Sequence, residues 1–391
     1  MRIGILLSGR YPTEKAYGVT TNSTIKCLSK MGHSVYVVGL HSLYSEDVPI
    51  VNNFAILNYK ETRIAKFLKA RAFSSHGISS QVSWWIYWRI LGFLNKSMLH
   101  RLNLDLIWIR DPQMMRFATN AERIILEIHQ DFDLNKLTKR IVALTQSKVI
   151  IAPISQSLLK KFQGSQLENL TVFSPMGINP EDVLDKEEAV NSANLLMSSI
   201  QEQARPLKVG YVGKFYPNGY SKGIEDILGL TSKKSIKNVP IEISLTGGTQ
   251  SEIELVLEHI RSFHLDQSQL SLNPHLPHSL ALEAMRNLDV IVLPSPNSEK
   301  YFGFPLKCLE ALATGKVVVV SRTKIYEDVF NQEFQPYWYT PGDVDSLHSS
   351  IEDAISDPNL SLKITEGLDF SKRFTWMNRT DRLMKAFAGK S

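Results

Sequence analysis

Cysteine is scarce in this chain: Cys27 and Cys308 are the only two among 391 residues. They lie far apart and in no CxxC or Cys/His spacing, which argues against a structural zinc site or a disulfide framework. So few thiols fit a reducing compartment. We therefore expect a cytoplasmic protein, attached at most peripherally to the inner face of a membrane.

Long apolar runs and blocks of one charge are missing as well. No run reaches the roughly 18 residues of a membrane-spanning helix. The N-terminal sequence is interrupted by Gly9 and Arg10 too early for a signal peptide, and it is better explained as a first buried strand. The net charge is +5, without the continuous basic block typical of nucleic-acid binders. We expect no nucleic-acid partner.

Short runs rich in Val, Ile and Leu alternate with amphipathic stretches, which predicts parallel strands covered by helices. The predicted strands are Ile3–Leu7, Ser34–Leu40, Ala55–Tyr59, Leu106–Ile109, Ile124–Ile128, Val149–Pro153, Lys208–Val212, Glu242–Thr246, Leu270–Leu272, Val290–Leu293 and Val317–Val320. A length of 391 residues favours two domains. We therefore predict an α/β protein with two Rossmann-like, doubly wound parallel-sheet domains and a ligand cleft between them.

The domain boundaries follow from the same pattern. We predict a first domain over residues 1–182, a polar connection over 183–206 and a second domain over 207–372. A C-terminal helix over 373–391 is expected to pack back towards the first domain.

Residues 295–321 contain the first candidate site. A loop follows the strand that ends at Leu293, Pro305 stands at the first position of a predicted helix, and Gly315 stands at its end. The N-terminus of such a helix offers N–H groups and partial positive charge to a phosphate. Glu310, about one and a half turns further on, is placed to accept hydrogen bonds from ribose hydroxyls. The alternative is ordinary helix punctuation with a solvated Glu310.

A second candidate lies at residues 208–228. The predicted strand ends at Gly213, Lys214 follows it, and Lys222 and Gly223 precede a helix. Two cations at the carboxyl end of a strand suit a diphosphate. The alternative is two solvated lysines in a loop.

Together these segments resemble glycosyltransferase family 4, a group of retaining enzymes with the GT-B fold. The resemblance covers the second half of the chain. The segments that carry it, in chain order, are Gly213-Lys214…Lys222-Gly223, Thr246-Gly247-Gly248, Asp289–Ser295 and Pro305-Leu306…Glu310–Lys316.

The resemblance implies that a sugar is transferred from a nucleotide-diphosphate donor bound to the second domain. The acceptor is a hydroxyl of a glycan, a lipid-linked molecule or a small molecule bound by the first domain. No metal cofactor is expected, because Lys214 and Lys222 would neutralise the diphosphate. The other implied donor-binding residues are Glu310 for the ribose, the backbone of Phe304, Pro305 and Leu306 for the phosphates and sugar, Gly213, and His275 and Leu276 beside the base.

One position departs from the family pattern. Many members carry a second glutamate eight residues before the one that matches Glu310, and Phe302 stands there. The Pro-Leu-Lys sequence at 305–307 resembles a subset that lacks this glutamate, and Glu299 is a candidate substitute.

The first half contributes three further candidates. The loop from Gly9 to Gly18 opens a helix and is not a GxGxxG fingerprint, so a nicotinamide dinucleotide is not expected; Gly18 is expected near the donor. His129 ends a predicted strand, and its Glu-x-His context resembles the family's histidine near the transferred sugar; the alternative is a structural histidine. Arg110 and Asp111 either line the same pocket or form a salt bridge.

Basic residues followed by clustered Trp and Tyr over 63–94 suit a membrane interface. An ordinary amphipathic helix packed on the first sheet is the alternative, and it is preferred. For the whole chain we predict a retaining hexosyltransferase, with a role in polysaccharide biosynthesis. Two alternatives stay open: a nucleotide-sugar epimerase of the same fold, and a catalytically silent sugar-binding homologue.

Overall fold

The computed structural model describes residues 1–13, 16–43, 48–74, 78–118, 121–144, 147–295, 304–330 and 333–387. The chain forms two compact units. The first unit comprises Met1–Pro175 and Trp376–Ser391, and the second comprises Met176–Thr375.

The first unit is built on a parallel sheet. Its strands are β1 (Arg2–Arg10), β2 (Ser34–Leu40), β3 (Phe54–Asn58), β4 (Leu106–Ile109), β5 (Arg123–Ile128) and β6 (Lys148–Pro153). Their order is β3-β2-β1-β4-β5-β6, and all neighbours are parallel. The chain therefore leaves β1 towards one edge of the sheet and returns beside it at β4, which makes the carboxyl ends of β1 and β4 a topological switch point.

Helices cover this sheet. They are α1 (Ala16–Lys30), α2 (Arg63–Ser74), α3 (Ile78–Arg101), α4 (Leu134–Val142) and α5 (Gln156–Lys160). Helix α3 buries Tyr87, Trp88 and Leu91, and the Trp88 ring meets the Phe117 ring edge-on with centroids 6.1 Å apart. One face of the aromatic cluster is thus core, as the amphipathic-helix alternative predicted. Among the described helices, none has both the length and the apolar character needed to cross a bilayer.

The second unit repeats the architecture. Its strands are β7 (Leu207–Val212), β8 (Ser235–Ile236), β9 (Val239–Gly248), β10 (Leu270–Pro274), β11 (Val290–Leu293), β12 (Val317–Ser321) and β13 (Tyr337–Tyr339). The parallel order is β10-β9-β7-β11-β12-β13, and β8 pairs antiparallel with β9. The switch point of this sheet lies at the carboxyl ends of β7 and β11.

The helices of the second unit are α6 (Lys186–Gln201), α7 (Ile224–Gly229), α8 (Gln250–Ser262), α9 (His278–Arg286), α10 (Leu306–Ala313), α11 (Lys324–Phe330), α12 (Val344–Ser356) and α13 (Leu360–Lys372). Helix α6 falls within the segment that we interpreted as a connection. It is instead part of the second core, because Ala189, Ala193 and Leu196 recur on one face and are buried there.

The chain ends in α14 (Trp376–Lys385), which belongs to the first unit. Leu383 and Phe387 belong to the same buried cluster as the strand residues Ile3 and Ile150. Arg379, also buried, forms an ion pair with Glu127 of β5. The first unit is therefore completed by the last helix of the chain.

Candidate functional site

The switch point of the second unit carries both predicted lysines. Lys214 is exposed just beyond β7, and the Lys222 N–H donates to the Phe215 carbonyl over 2.9 Å. Gly223 has φ +84°, and a Cβ added there would lie 3.5 Å from Pro294 and Ser295. The turn that holds Lys222 and Gly223 thus lies against the end of β11, as a site at this edge of the sheet requires.

Glycines bring neighbouring strand ends close together at the same edge. The Gly213 N–H donates to the Thr246 carbonyl over 2.8 Å. Gly247 has φ +123°, and a Cβ there would lie 2.4 Å from the Gly213 carbonyl oxygen, so this approach requires glycine. The His275 N–H donates to the Gly248 carbonyl over 3.0 Å, which places the His275 loop at the same edge.

Helix α10 begins one residue later than predicted. Pro305 is its N-cap, and the helix starts at Leu306. The Leu306 N–H donates to the Phe304 carbonyl over 2.9 Å, and Pro305 has no N–H group. In this conformation, therefore, neither Pro305 nor Leu306 offers an unbonded N–H to a phosphate. Phe304 itself is buried, with its ring centroid 6.4 Å from that of Phe374.

Glu310 is held between Lys307 and His278. It is 4% exposed, its Oε1 lies 2.9 Å from His278 Nε2, and its Oε2 lies 2.9 Å from Lys307 Nζ. Burial opposes the charge on the carboxylate, but Lys307 and His278 outweigh it and lower the pKa of Glu310 to about 2. The hydrogen bond to Glu310 raises the pKa of His278. A solvated Glu310, the alternative considered above, is wrong.

The first unit has a depression of about 280 Å³ at its own switch point, and several predicted residues meet there. The residues that line it are Leu7, Ser8, Gly9, Tyr17, Arg110, Asp111, His129 and Gln130. Gly18 is not among them. It is buried in α1, where a Cβ would lie 2.1 Å from the Thr13 carbonyl oxygen, so it is needed to close the loop onto the helix.

A buried charge network holds His129. Its Nε2 lies 2.7 Å from Glu127 Oε2. The other oxygen of Glu127 accepts from Trp108 Nε1 at 2.9 Å and from Arg379 Nη2 at 2.6 Å. Burial opposes the charge on Glu127, but Arg379 and His129 outweigh it and keep the pKa of this carboxyl well below its usual range.

Burial and the nearby Arg110 lower the pKa of His129 to about 4, although Glu127 acts in the opposite direction. His129 is therefore neutral at pH 7. A neutral imidazole that donates from Nε2 to a carboxylate has Nδ1 as an acceptor. The network thus fixes which nitrogen of His129 is able to accept a hydrogen bond.

Comparison with known proteins indicates the function of the switch points of the two sheets. Residues 196–367, which span most of the second unit, match the family model for glycosyl transferases group 1. The chain is a glycosyltransferase. None of the curated proteins compared with it matches in sequence.

Solved structures show the fold of this glycosyltransferase. Sucrose-phosphate synthase from Thermosynechococcus elongatus has a TM-score of 0.70 at 14% identity, covering 100% of this chain and 98% of the other. Anabaena HepE, in complex with UDP and glucose, has a TM-score of 0.66 at 14% identity, covering 100% of both chains. A glycosyltransferase from Rickettsia africae has a TM-score of 0.65 at 14% identity, covering 99% and 98%. The fold is GT-B.

The sequence pointed to the glycines and lysines of the glycosyltransferase but not to the partners of its buried carboxylates. Lys307 had a local signal, since it stands three residues before Glu310 on one helix. His278 and Arg379 had none, because tertiary packing brings them to Glu310 and Glu127. Phe302 and Glu299 lie outside the described residues. The described residues include no cluster of three or more His, Cys, Asp or Glu that could hold a metal ion.

Proposed function

We propose that the chain is a retaining glycosyltransferase that moves a hexose-type sugar from a nucleotide-diphosphate donor to a hydroxyl acceptor. The observation that carries the proposal is that a cationic loop and a buried ionised carboxylate follow the two strands of the switch point. Lys214 and Lys222 follow β7, and Glu310 lies on the helix that follows β11. The diphosphate and the vicinal ribose hydroxyls of a nucleotide diphosphate need these two chemistries.

The proposed mechanism depends on charge. When the bond between the sugar and the diphosphate breaks, negative charge grows on the leaving group, and Lys214 and Lys222 stabilise it. Preorganised cations of this kind commonly contribute factors of about 10²–10³ in rate. They would take the part that a metal ion plays elsewhere, so we propose that no metal is needed.

Glu310 is proposed to accept hydrogen bonds from the ribose. Each carboxylate oxygen has two acceptor sites, so contacts with Lys307 and His278 leave capacity for ligand hydroxyls. With a pKa of about 2, the carboxylate stays ionised at any physiological pH. From the family resemblance we carry over a place for His129 beside the transferred sugar, with Nδ1 as the acceptor.

UDP-sugars are the first donors to test, because the similar Anabaena HepE binds UDP and UDP-glucose. The experiment incubates the protein with UDP-, GDP- and ADP-sugars and a panel of hydroxyl acceptors, and measures acceptor-dependent release of the nucleotide diphosphate. We expect Lys214→Ala and Lys222→Ala each to lower turnover about 10²–10³-fold.

Lys208→Ala is the matched control. Lys208 is also an exposed lysine of this part of the chain, but it lies at the amino end of β7, away from the switch point. Its replacement should leave turnover unchanged. An epimerase would instead alter the donor sugar without an acceptor, and a silent homologue would bind the donor and release nothing. Either result would contradict the proposal.

A further inference from the structure

The net positive charge of the chain is concentrated in the segment that contains α2 and α3. Residues 60–101, which contain both helices, include eight Lys and Arg and a single acid, Glu61. The whole chain has a net charge of only +5, so the remaining residues are together slightly acidic. The helical pair is thus a cationic part of an otherwise balanced protein.

Helix α3 presents alternating aromatic and cationic side chains on its exposed face. Trp85 is 52% exposed and Phe93 is 84% exposed, and Arg89 and Lys96 are also exposed. These positions follow one another at intervals of three or four residues, so they share a face of the helix. The Arg89 guanidinium lies 4.6 Å from the centroid of the Trp85 ring. Exposed aromatic rings beside cations suit a ligand that is both apolar and anionic.

A cavity of about 830 Å³ lies beside this face. Trp85, Arg89, Phe93 and Lys96 line one side, and Arg140, which donates to the Pro112 carbonyl over 3.4 Å, lines the other. None of the described residues that line it is acidic. Volumes of 300–1,000 Å³ with mixed apolar and polar walls are typical of small-molecule sites.

A smaller depression lies between this cavity and the switch point of the first unit. Pro112 and Gln113 line the cavity, and they also line the smaller depression, which has a volume of about 180 Å³ and contains Arg110 and His129. That depression shares Arg110 and His129 with the depression at the ends of β1 and β4. Three neighbouring hollows, joined by shared lining residues, therefore lie between the aromatic and cationic face of α3 and His129.

We propose that these hollows bind the acceptor, and that the acceptor is a single-chain lipid with a phosphate group and a free hydroxyl. The hydroxyl oxygen bonds to the anomeric carbon of the donor sugar as the bond from that carbon to the diphosphate breaks, and the nucleotide diphosphate leaves with the hydroxyl proton. The apolar chain lies along Trp85 and Phe93, and the phosphate contacts Arg89, Lys96 or Arg140. From Trp85 to Lys96 the helix axis is about 16 Å long, enough to support an extended chain of many carbons. This inference rests on the proposed function, because it names the acceptor class of that reaction.

Binding of dodecyl phosphate below its micelle concentration tests the inference. We expect the full-length protein to bind it, and the double variant Arg89→Gln/Lys96→Gln to bind it at least about tenfold more weakly. Lys66→Gln is the matched control, because Lys66 is an exposed lysine of the adjoining α2 and does not line the cavity. It should bind within twofold of wild type. Phe93→Ser, which alters an exposed ring and should fold normally, is expected to weaken binding as well.

Two outcomes would overturn the inference. Inorganic phosphate that binds as tightly as dodecyl phosphate would show a site for phosphate alone. If binding of the protein to vesicles of anionic lipid depends on Lys66 as strongly as on Arg89, the protein is attracted to a membrane surface in general. Titration of the wild-type protein with UDP separates this failure from that of the proposed function. Binding of UDP without binding of dodecyl phosphate rejects only the acceptor class. Binding of dodecyl phosphate without binding of UDP rejects the donor site.

Discussion

Replacing Lys307 with methionine removes a positive charge 2.9 Å from Glu310 while keeping an unbranched side chain of similar length. The Glu310 carboxylate, 4% exposed, would then depend on His278 for compensation. We expect the second unit to lose stability at neutral pH, because a buried charge that loses a partner keeps its desolvation cost.

The magnitude follows from the pKa of Glu310, which is about 2 against a usual value of 4.5. One pKa unit corresponds to 1.36 kcal/mol, so the native environment of this carboxylate contributes about 3 kcal/mol at neutral pH. The charge of Lys307 is the largest single influence that lowers the pKa, but its side chain is 34% exposed and solvent screens it. We therefore expect Lys307→Met to cost about 1–2 kcal/mol and to lower the melting temperature by roughly 2–8 °C.

The sign of the pH dependence is fixed by the same shift. Because the folded pKa of Glu310 is lowered, its contribution is present above about pH 4.5 and is lost as the pH falls towards 2. The difference in stability between wild type and Lys307→Met should therefore shrink over that interval. His278 has a raised pKa, so its contribution is present at low pH and is lost as the pH rises through the folded value.

Urea unfolding followed by far-UV circular dichroism measures the effect, with the transitions of the two units fitted separately. The control is a double-mutant cycle with Glu310→Gln. In that background, Lys307→Met should change the free energy of unfolding by less than about 0.5 kcal/mol, because the charge it balances is absent. An equal loss in both backgrounds would refute the idea that Lys307 acts through Glu310.

Three further predictions follow from single positions. Arg379→Met leaves the Glu127 carboxylate buried without its strongest cation, so it should destabilise the first unit by about 3–5 kcal/mol in thermal unfolding; a loss below about 1 kcal/mol would contradict this. Gly315→Ala should cost more stability than Gly342→Ala, since both have positive φ but only a Cβ at Gly315 meets a neighbour, Cβ of Ala189 at 2.8 Å; equal losses would argue against this contact. Transfer activity should show no His129-dependent change between about pH 5.5 and 8, because the pKa of His129 is about 4; an inflection near 6.5 that disappears in His129→Asn would count against it.

The strands were predictable because a strand covered on both faces is a nearly continuous run of Val, Ile and Leu. Residues 290–293 and 317–320 are such runs, and β11 and β12 lie there. Strand β13 was missed because Tyr337–Tyr339 is three residues long and has none of these residues. It is placed by pairing with Val319 and Val320 of β12, which no local pattern reveals.

The candidate site likewise contains some residues that the sequence predicts and others that it does not. Gly223 and Gly315 were identifiable because each sits at a helix end and adopts positive φ, which local sequence specifies. The charge partners were not. His278 and Glu310 are 32 residues apart, and Arg379 and Glu127 are 252 apart. Their ion pairs depend on how helices pack, and the sequence around each residue is the same whether or not its partner is near.

Binding of UDP to the intact protein, measured by isothermal titration calorimetry, is the most direct test of a donor site at the switch point of the second unit. We predict saturable binding that Lys214→Ala and Lys222→Ala each weaken at least about tenfold, while Lys208→Ala leaves it unchanged. Equal binding by all three variants and wild type, or no binding of UDP, GDP or ADP by the wild-type protein, would contradict the account.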